Sequence, residues 1–218
     1  MKHLDRDLFA LQDRIVELGG MVEAATNRCI QCIENFDLTL AQEILDGEET
    51  INEMEVAIEE ECLKILALHQ PVAFDLRYII VVLKVNNDLE RMGDQAVNIA
   101  ERVTALADMD RLVVDLDFAT MGSICGKMVQ RSIEALVRQD VVIAQKVLDM
   151  DDELDALHSR SYKTLQNVMK EDLSTIVPAI SHLTISNNLE RLGDLATNIA
   201  EEIIFMEEGE VVRHQEEH

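Results

Sequence analysis

From Leu8 to Phe36 the apolar positions are Leu8, Leu11, Ile15, Leu18, Val22, Ala25, Cys29, Cys32 and Phe36, in unbroken steps of three and four residues. That spacing predicts one long helix with a single apolar seam. Asp37 opens a break, and Leu40 to Leu45 reads as a helical turn or two before Asp46-Gly47. A second helix then carries Ile51, Met54, Ile58, Cys62, Ile65 and Leu68. It ends near His69-Gln70-Pro71, because the residue before a proline is disfavoured in the α region. The third helix begins around Asp75 and runs to about Ala107.

Residues 108–117, DMDRLVVDLD, are acidic and weakly patterned, and the same plan starts again at Phe118. Arg131, Asp140, Ala144 and Asp149 match Arg28, Asp37, Ala41 and Asp46 at an offset of 103. Further on, Asn187 to Glu201 (NNLERLGDLATNIAE) repeats Asn87 to Glu101 (NDLERMGDQAVNIAE) at an offset of 100, so the second copy has lost three residues at its second inter-helix turn. Pro178 falls within or just before the start of the sixth helix, and no strand pattern occurs. The expected fold is all-α: six long antiparallel helices in two tandem three-helix bundles, 1–107 and 118–218, joined by a linker at 108–117.

The repeat keeps polar residues as well as apolar ones. On a helix at about 100° per residue, Glu90, Asp94 and Glu101 fall within about 40° of one another, with Asn98 beside them. Leu89, Met92, Ala96, Ile99, Ala100 and Val103 form a separate apolar arc, while Arg91, Gln95 and Arg102 point to solvent. The carboxylates therefore run along the lip between core and water. Like charges at i and i+4 repel by a few tenths of a kcal/mol, so a cation offsetting both copies is the simplest reading.

With 43 acidic and 19 basic residues the chain carries a formal charge of −24. A nucleic-acid partner is excluded, since phosphate binders need a basic footprint. No apolar run approaches the ~20 residues of a membrane span, and the start lacks a signal-peptide core. A soluble, cytoplasmic protein is expected, without direct membrane insertion. Cys29, Cys32, Cys62 and Cys125 make no metal-ribbon pattern, and the Cys29/Cys32 pair sits on the apolar seam, where small buried hydrophobes are expected.

The candidate chemistry is the duplicated ExxxDxxxN: Glu90, Asp94 and Asn98, then Glu190, Asp194 and Asn198. All-oxygen ligand sets suit Mg, Ca or Mn, and Fe through carboxylates. The second helix offers a second row, Glu48, Asn52 and Glu55, whose counterparts at the offset of 103 are Asp151, Asp155 and His158. Asn52 stands where the second half has a carboxylate, which weakens the first site. Gly93 and Gly193 each cost about 1 kcal/mol against Ala inside a helix, a sign of close packing beside the carboxylates. Arg91 and Arg191 are the competitors to a metal for the same acids. No nucleophile with a placed base and no glycine-rich phosphate loop appear, so catalysis is not expected. The alternative to a regulatory role is a carboxylate-bridged bundle with an enzymatic or metal-storage role.

The stretch PVAFDLRYIIVVLKVNNDLERMGDQAVNIAE, Pro71 to Glu101, with its second copy ending NNLERLGDLATNIAE, resembles the PhoU family of bacterial regulators tied to phosphate-specific transport. The resemblance covers nearly the whole chain. The sequence departs from the family pattern at Asn52 and lacks a second copy of Asp75-Leu76-Arg77. The resemblance implies two three-helix bundles side by side, and E(D)xxxD motifs that hold divalent or iron-type ions (Mg, Mn, Fe, Zn or Ca). These motifs carry over to Glu90/Asp94, Glu190/Asp194, Asp151/Asp155 and Glu48/Asn52. It further implies a homodimeric, non-enzymatic adaptor that contacts a PhoR-like sensor histidine kinase through its PAS domain and a PstB-like transporter ATPase. Such an adaptor restrains phosphate uptake and the phosphate-starvation response.

Overall fold

Two aspartates at matching positions open the second helix of each half. Asp37 accepts the backbone N–H groups of Thr39 and Leu40, and Asp140 those of Val142 and Ile143, satisfying amides that have no intrahelical partner. Just before each cap the chain turns through a left-handed residue, Phe36 and Gln139, both at φ 52°. In this computed structural model, which describes residues 2–109, 112, 114 and 116–208, the helices are α1 (Lys2–Asn35), α2 (Leu38–His69), α3 (Ala73–Ala107), α4 (Phe118–Arg138), α5 (Val141–Glu171) and α6 (Ile176–Glu208). A 3-10 turn, Leu173–Thr175, precedes α6, and no strand occurs among the described residues.

Two boundaries differ from those read off the sequence. The break expected between Leu45 and Ile51 does not exist: α2 runs through Gly47 without interruption. A helical glycine costs only about 1 kcal/mol, and Ile44 and Ile51 on either side are buried in the core, which outweighs it. The third helix also starts earlier, at Ala73 rather than Asp75. Pro178 is the third residue of α6, where a missing N–H leaves no hydrogen bond unmade. The three residues lost from the second half are lost at this joint: α5 has 31 residues against 32 in α2, and Asp172 alone precedes the 3-10 turn where Gln70, Pro71 and Val72 link α2 to α3.

The seam of α1 is buried from Leu11 to Cys32, as are Leu89, Met92, Ala96, Ile99, Ala100 and Val103 of α3. These residues belong to one continuous core that also takes Met121 and Met128 from α4, Leu154 from α5 and Ile199 from α6. The two bundles therefore share their interior. α3 packs along α6 and α1 against α4, leaving α2 and α5 on the outside. Both inter-bundle pairs are antiparallel: Gly19 lies beside Ile133 while Gly122 lies beside Ile30, and Lys84 near the start of α3 meets Glu202 near the end of α6 at 3.0 Å. All four cysteines are buried free thiols, with burial raising Cys29 well above the ordinary thiol range and Cys125 to about 12, so none is a reactive nucleophile. Among the described residues no helix is long and apolar enough to cross a membrane.

Candidate metal centre

The close approach of α5 to α6 is set by glycine. A Cβ on Gly193 would lie 2.5 Å from Leu154 Cδ2 and 3.4 Å from Met128 Cε; without it the two helices settle against each other. One turn along, His158 Nδ1 and Ser186 Oγ are 2.9 Å apart, which holds the same register. Asp151 and Asp155, one turn apart on α5, then face Asp194 of α6. Each of these three offers a carboxylate oxygen within 4.8 Å of the others.

Burial and repulsion by neighbouring carboxylates both act on Asp151 and Asp194. Asp151 is pushed up to about 6, first by burial and then by Asp155, Asp194, Asp152 and Glu201. Asp194 is raised by burial and by Asp155, against the pull of Arg191 and His158. Glu190 is raised by burial, then by Asp194 and Asp155, which puts it at the rim of the same cluster. Asp151 Oδ1 is buried without a hydrogen-bond partner. Three carboxylates converge around an unsatisfied oxygen, and among the described residues no lysine or arginine makes an ion pair with them, Arg191 acting on Asp194 only at longer range; this is the donor set a hard divalent cation requires. His158 is held below its usual value by burial, which outweighs Asp155 and Asp194, so its neutral ring is also available as a nitrogen donor.

The first half repeats the frame with weaker donors. Gly93 faces Ile51, with a Cβ position 3.3 Å from Ile51 Cδ1, and Asn86 Nδ2 donates to the backbone carbonyl of Glu55 at 2.9 Å and to its Oε1 at 3.3 Å. Glu55–Asn86 thus stands where His158–Ser186 stands in the second half. Glu90 is raised by burial, then by Asp94, Glu55 and Glu48, so these four acids share one field. Asn52 is exposed and adds no charge. Among the described residues only Asp151, Asp155 and Asp194 form a tight carboxylate trio.

The asparagines fall elsewhere. Asn98 is exposed. Asn198 lines a groove of about 610 Å³ between α3 and α6, together with Lys84, Asn87, Asp88, Arg91 and Glu201. Arg91 does not take the Glu90/Asp94 pair; its guanidinium is 3.5 Å from Asp88. Gln95, read as solvent-facing, is half-buried, and its Nε2 donates to the Arg91 carbonyl at 3.4 Å. Glu55, read from the sequence in the row of Glu48 and Asn52, belongs to the field of the first site. Glu201 belongs to that of the second and was not among the candidate ligands, although the shared arc of Glu90, Asp94 and Glu101 carried its signal.

A sequence model of the PhoU domain matches this chain twice, over residues 15–103 and 118–203. The chain belongs to the PhoU family. A relative named phosphate-specific transport system accessory protein PhoU homolog, from Aquifex aeolicus, is 35% identical over 212 residues, covering 97% of this chain and 96% of its own length. The PhoU homolog of Pseudomonas aeruginosa is 34% identical over 214 residues, 98% of this chain and 88% of its own. The crystal structure of PhoU from Pseudomonas aeruginosa superposes with a TM-score of 0.92 over 94% of this chain and 99% of that one, at 34% identity. That of the phosphate transport system regulatory protein PhoU from Streptococcus pneumoniae gives 0.87, over 96% and 99%, at 27% identity. The PhoU fold of six helices is therefore shared, and the carboxylate clusters are placed on it by the family's internal repeat.

Proposed function

We propose that this PhoU-family chain is a cytoplasmic, metal-binding adaptor that restrains phosphate uptake and phosphate-starvation signalling. The observation that carries the metal half of this reading is the trio of Asp151, Asp155 and Asp194, with Glu190 at its rim and one buried Asp151 oxygen left without a partner. A divalent or iron-type ion would be held there by those carboxylates, and more weakly in the first half by Glu90, Asp94 and Glu48. When bound, the ion supplies positive charge to a strongly acidic surface. The chain's own part is to hold the carboxylates together through the Gly193–Leu154 and Gly93–Ile51 contacts, so that an incoming ion meets a formed site. The acids come from two helices of each bundle and stay partly open to water, an arrangement suited to surface charge control; redox or hydrolytic centres usually enclose their ligands.

The regulatory half rests on the family. Relatives carry the name of accessory proteins of the phosphate-specific transport system, and the partners proposed here are a PstB-like transporter ATPase and the PAS domain of a PhoR-like sensor histidine kinase. A charge of −24 routes regulation through protein contacts, because an anionic bilayer or DNA would repel the chain. The testing experiment is elemental analysis of protein purified without affinity-tag nickel, followed by binding to purified ATPase and PAS domain with and without the metal found. Bound metal and capture of either partner are expected; metal-free protein that binds neither overturns the reading.

A further inference from the structure

We propose that the outer face of α3 and α6 docks a homodimeric, basic protein on that partner's two-fold axis, one copy of this chain spanning both subunits. The inference rests on the adaptor reading and adds the docking face, the symmetry and the stoichiometry.

The face lies opposite the α1/α4 pair, since α3 packs on α1 and α6 on α4. Along α3 it exposes Leu76, Ile80, Lys84, Asn87 and Arg91 in steps of three or four, one stripe of a helix. The matching stripe on α6 is Val177, Ile180, Thr184, Asn187 and Arg191, with four of its positions one hundred residues after their α3 counterparts. Because α3 and α6 are antiparallel, as the Lys84–Glu202 contact shows, the two stripes run in opposite directions and their apolar ends lie at opposite ends of one face. At one end Leu76 is 39% and Ile80 37% exposed; at the other Val177 is 59% and Ile180 51% exposed. All four aliphatic side chains keep more than a third of their surface open to water. The internal repeat therefore makes the face two-fold symmetric, about an axis normal to it.

That symmetry selects the occupant. A homodimer presents every surface group twice about its axis, so each subunit can cover one apolar end at the same time. Charge narrows the choice further. Asp94 and Asp194 sit about 20° around their helices from Asn87 and Asn187, so both carboxylate sites border this face. The cations on the stripes are engaged within the chain, Lys84 with Glu202, Arg91 with Asp88, and Arg191 beside Asp194 and Glu190. The acidic borders therefore set the sign of the face: a second copy of this chain would set them against each other, which is repulsive, and a basic homodimer is attracted along both. Engagement at two ends also makes the second contact intramolecular, raising affinity without further contacts.

The test uses the intact chain and the purified ATPase subunit of the phosphate transporter from the same organism, trapped as its nucleotide-bound dimer, with the dimeric sensor kinase as second probe. Light scattering of the wild-type complex is expected to give one copy of this chain per two partner subunits. Ile80→Asp and Ile180→Asp are each expected to weaken binding about tenfold, and the pair about a hundredfold, as for distant independent sites, with helix content unchanged by circular dichroism. A complex with one copy per partner subunit, or one in which either substitution is silent, overturns two-fold docking and leaves the adaptor reading standing. Failure of the wild-type chain to bind either dimer overturns both.

Discussion

Gly193 and Leu154 stand so close that a Cβ on the glycine would come 2.5 Å from Leu154 Cδ2, whereas the equivalent position on Gly93 is 3.3 Å from Ile51. The same helical glycine is therefore held by packing in one half and only crowded in the other. Gly193→Ala recovers about 1 kcal/mol of helix propensity but overpacks a fully buried leucine, which costs about 1–3 kcal/mol. The expected net loss is about 1 kcal/mol, a Tm drop of about 2–4 °C at this size, together with weaker metal binding as α5 is pushed from α6. Gly93→Ala is expected to be neutral or slightly stabilising. Thermal unfolding of the two variants checks this; equal destabilisation would contradict it.

The two sites should differ in affinity. The second half brings Asp151, Asp155, Asp194 and Glu190 together, while the first has the neutral Asn52 in place of a carboxylate. Fewer charged ligands weaken a hard-cation site, so calorimetry should resolve two classes about tenfold or more apart. Asp155→Ala with Asp194→Ala should remove the tighter class, and Glu90→Gln with Asp94→Asn the weaker. Because the bundles share one core, these substitutions belong in the intact chain.

Asp151 gives the metal-free protein a pH signature. Its folded value is raised to about 6 from 3.8, so the folded state holds this proton more tightly than the unfolded one. The stabilisation is present in full below about pH 4 and is lost as pH rises through about 6. Asp151→Asn should therefore match the wild type near pH 4 and become the more stable protein above pH 6 in chelator, by urea unfolding. With metal present the order should reverse. Metal binding itself should strengthen from pH 4 to 6, because the ion displaces that proton.

Lys84 reaches across the bundle interface to Glu202, which is 2% exposed, and also lies 5.6 Å from the Phe205 ring centroid. Lys84→Met removes a charged hydrogen bond from a buried carboxylate and is expected to destabilise by about 2 kcal/mol. The loss should fall below about 1 kcal/mol if Glu202 is replaced by Gln in the same chain. A double-mutant cycle in urea measures the coupling.

Electrostatic steering predicts a salt signature for partner binding. Association with the transporter ATPase should slow markedly as salt rises past ~0.15 M, where the screening length is about 8 Å. Metal loading should shrink this salt dependence by neutralising part of the acidic border. Stopped-flow association rates with and without metal provide the check, and a rate flat in salt would contradict it.

Much of this was legible along the chain because helices leave a local record. The seam of α1, the break at Asp37 with its match at Asp140, and the repeat from Asn87 to Glu101 follow from spacing within one or two turns. So did the pairing of Glu48, Asn52 and Glu55 with Asp151, Asp155 and His158, which the Glu55–Asn86 and His158–Ser186 contacts reproduce. Local spacing failed at Gly47, where burial of Ile44 and Ile51 carries the helix through a residue that propensity alone treats as a stop. It also could not separate Asp194 from Asn198, which are four residues apart on α6. Which neighbour each side chain meets depends on where α3 and α5 lie around that helix. The sequence by itself determined the helices, their duplication and the acidic lip, since these are properties of a few consecutive turns. Only the tertiary structure decided that three aspartates converge, that Asn198 turns to the α3 groove and that Lys84 meets Glu202, because contacts between distant helices are set by the packing of a common core.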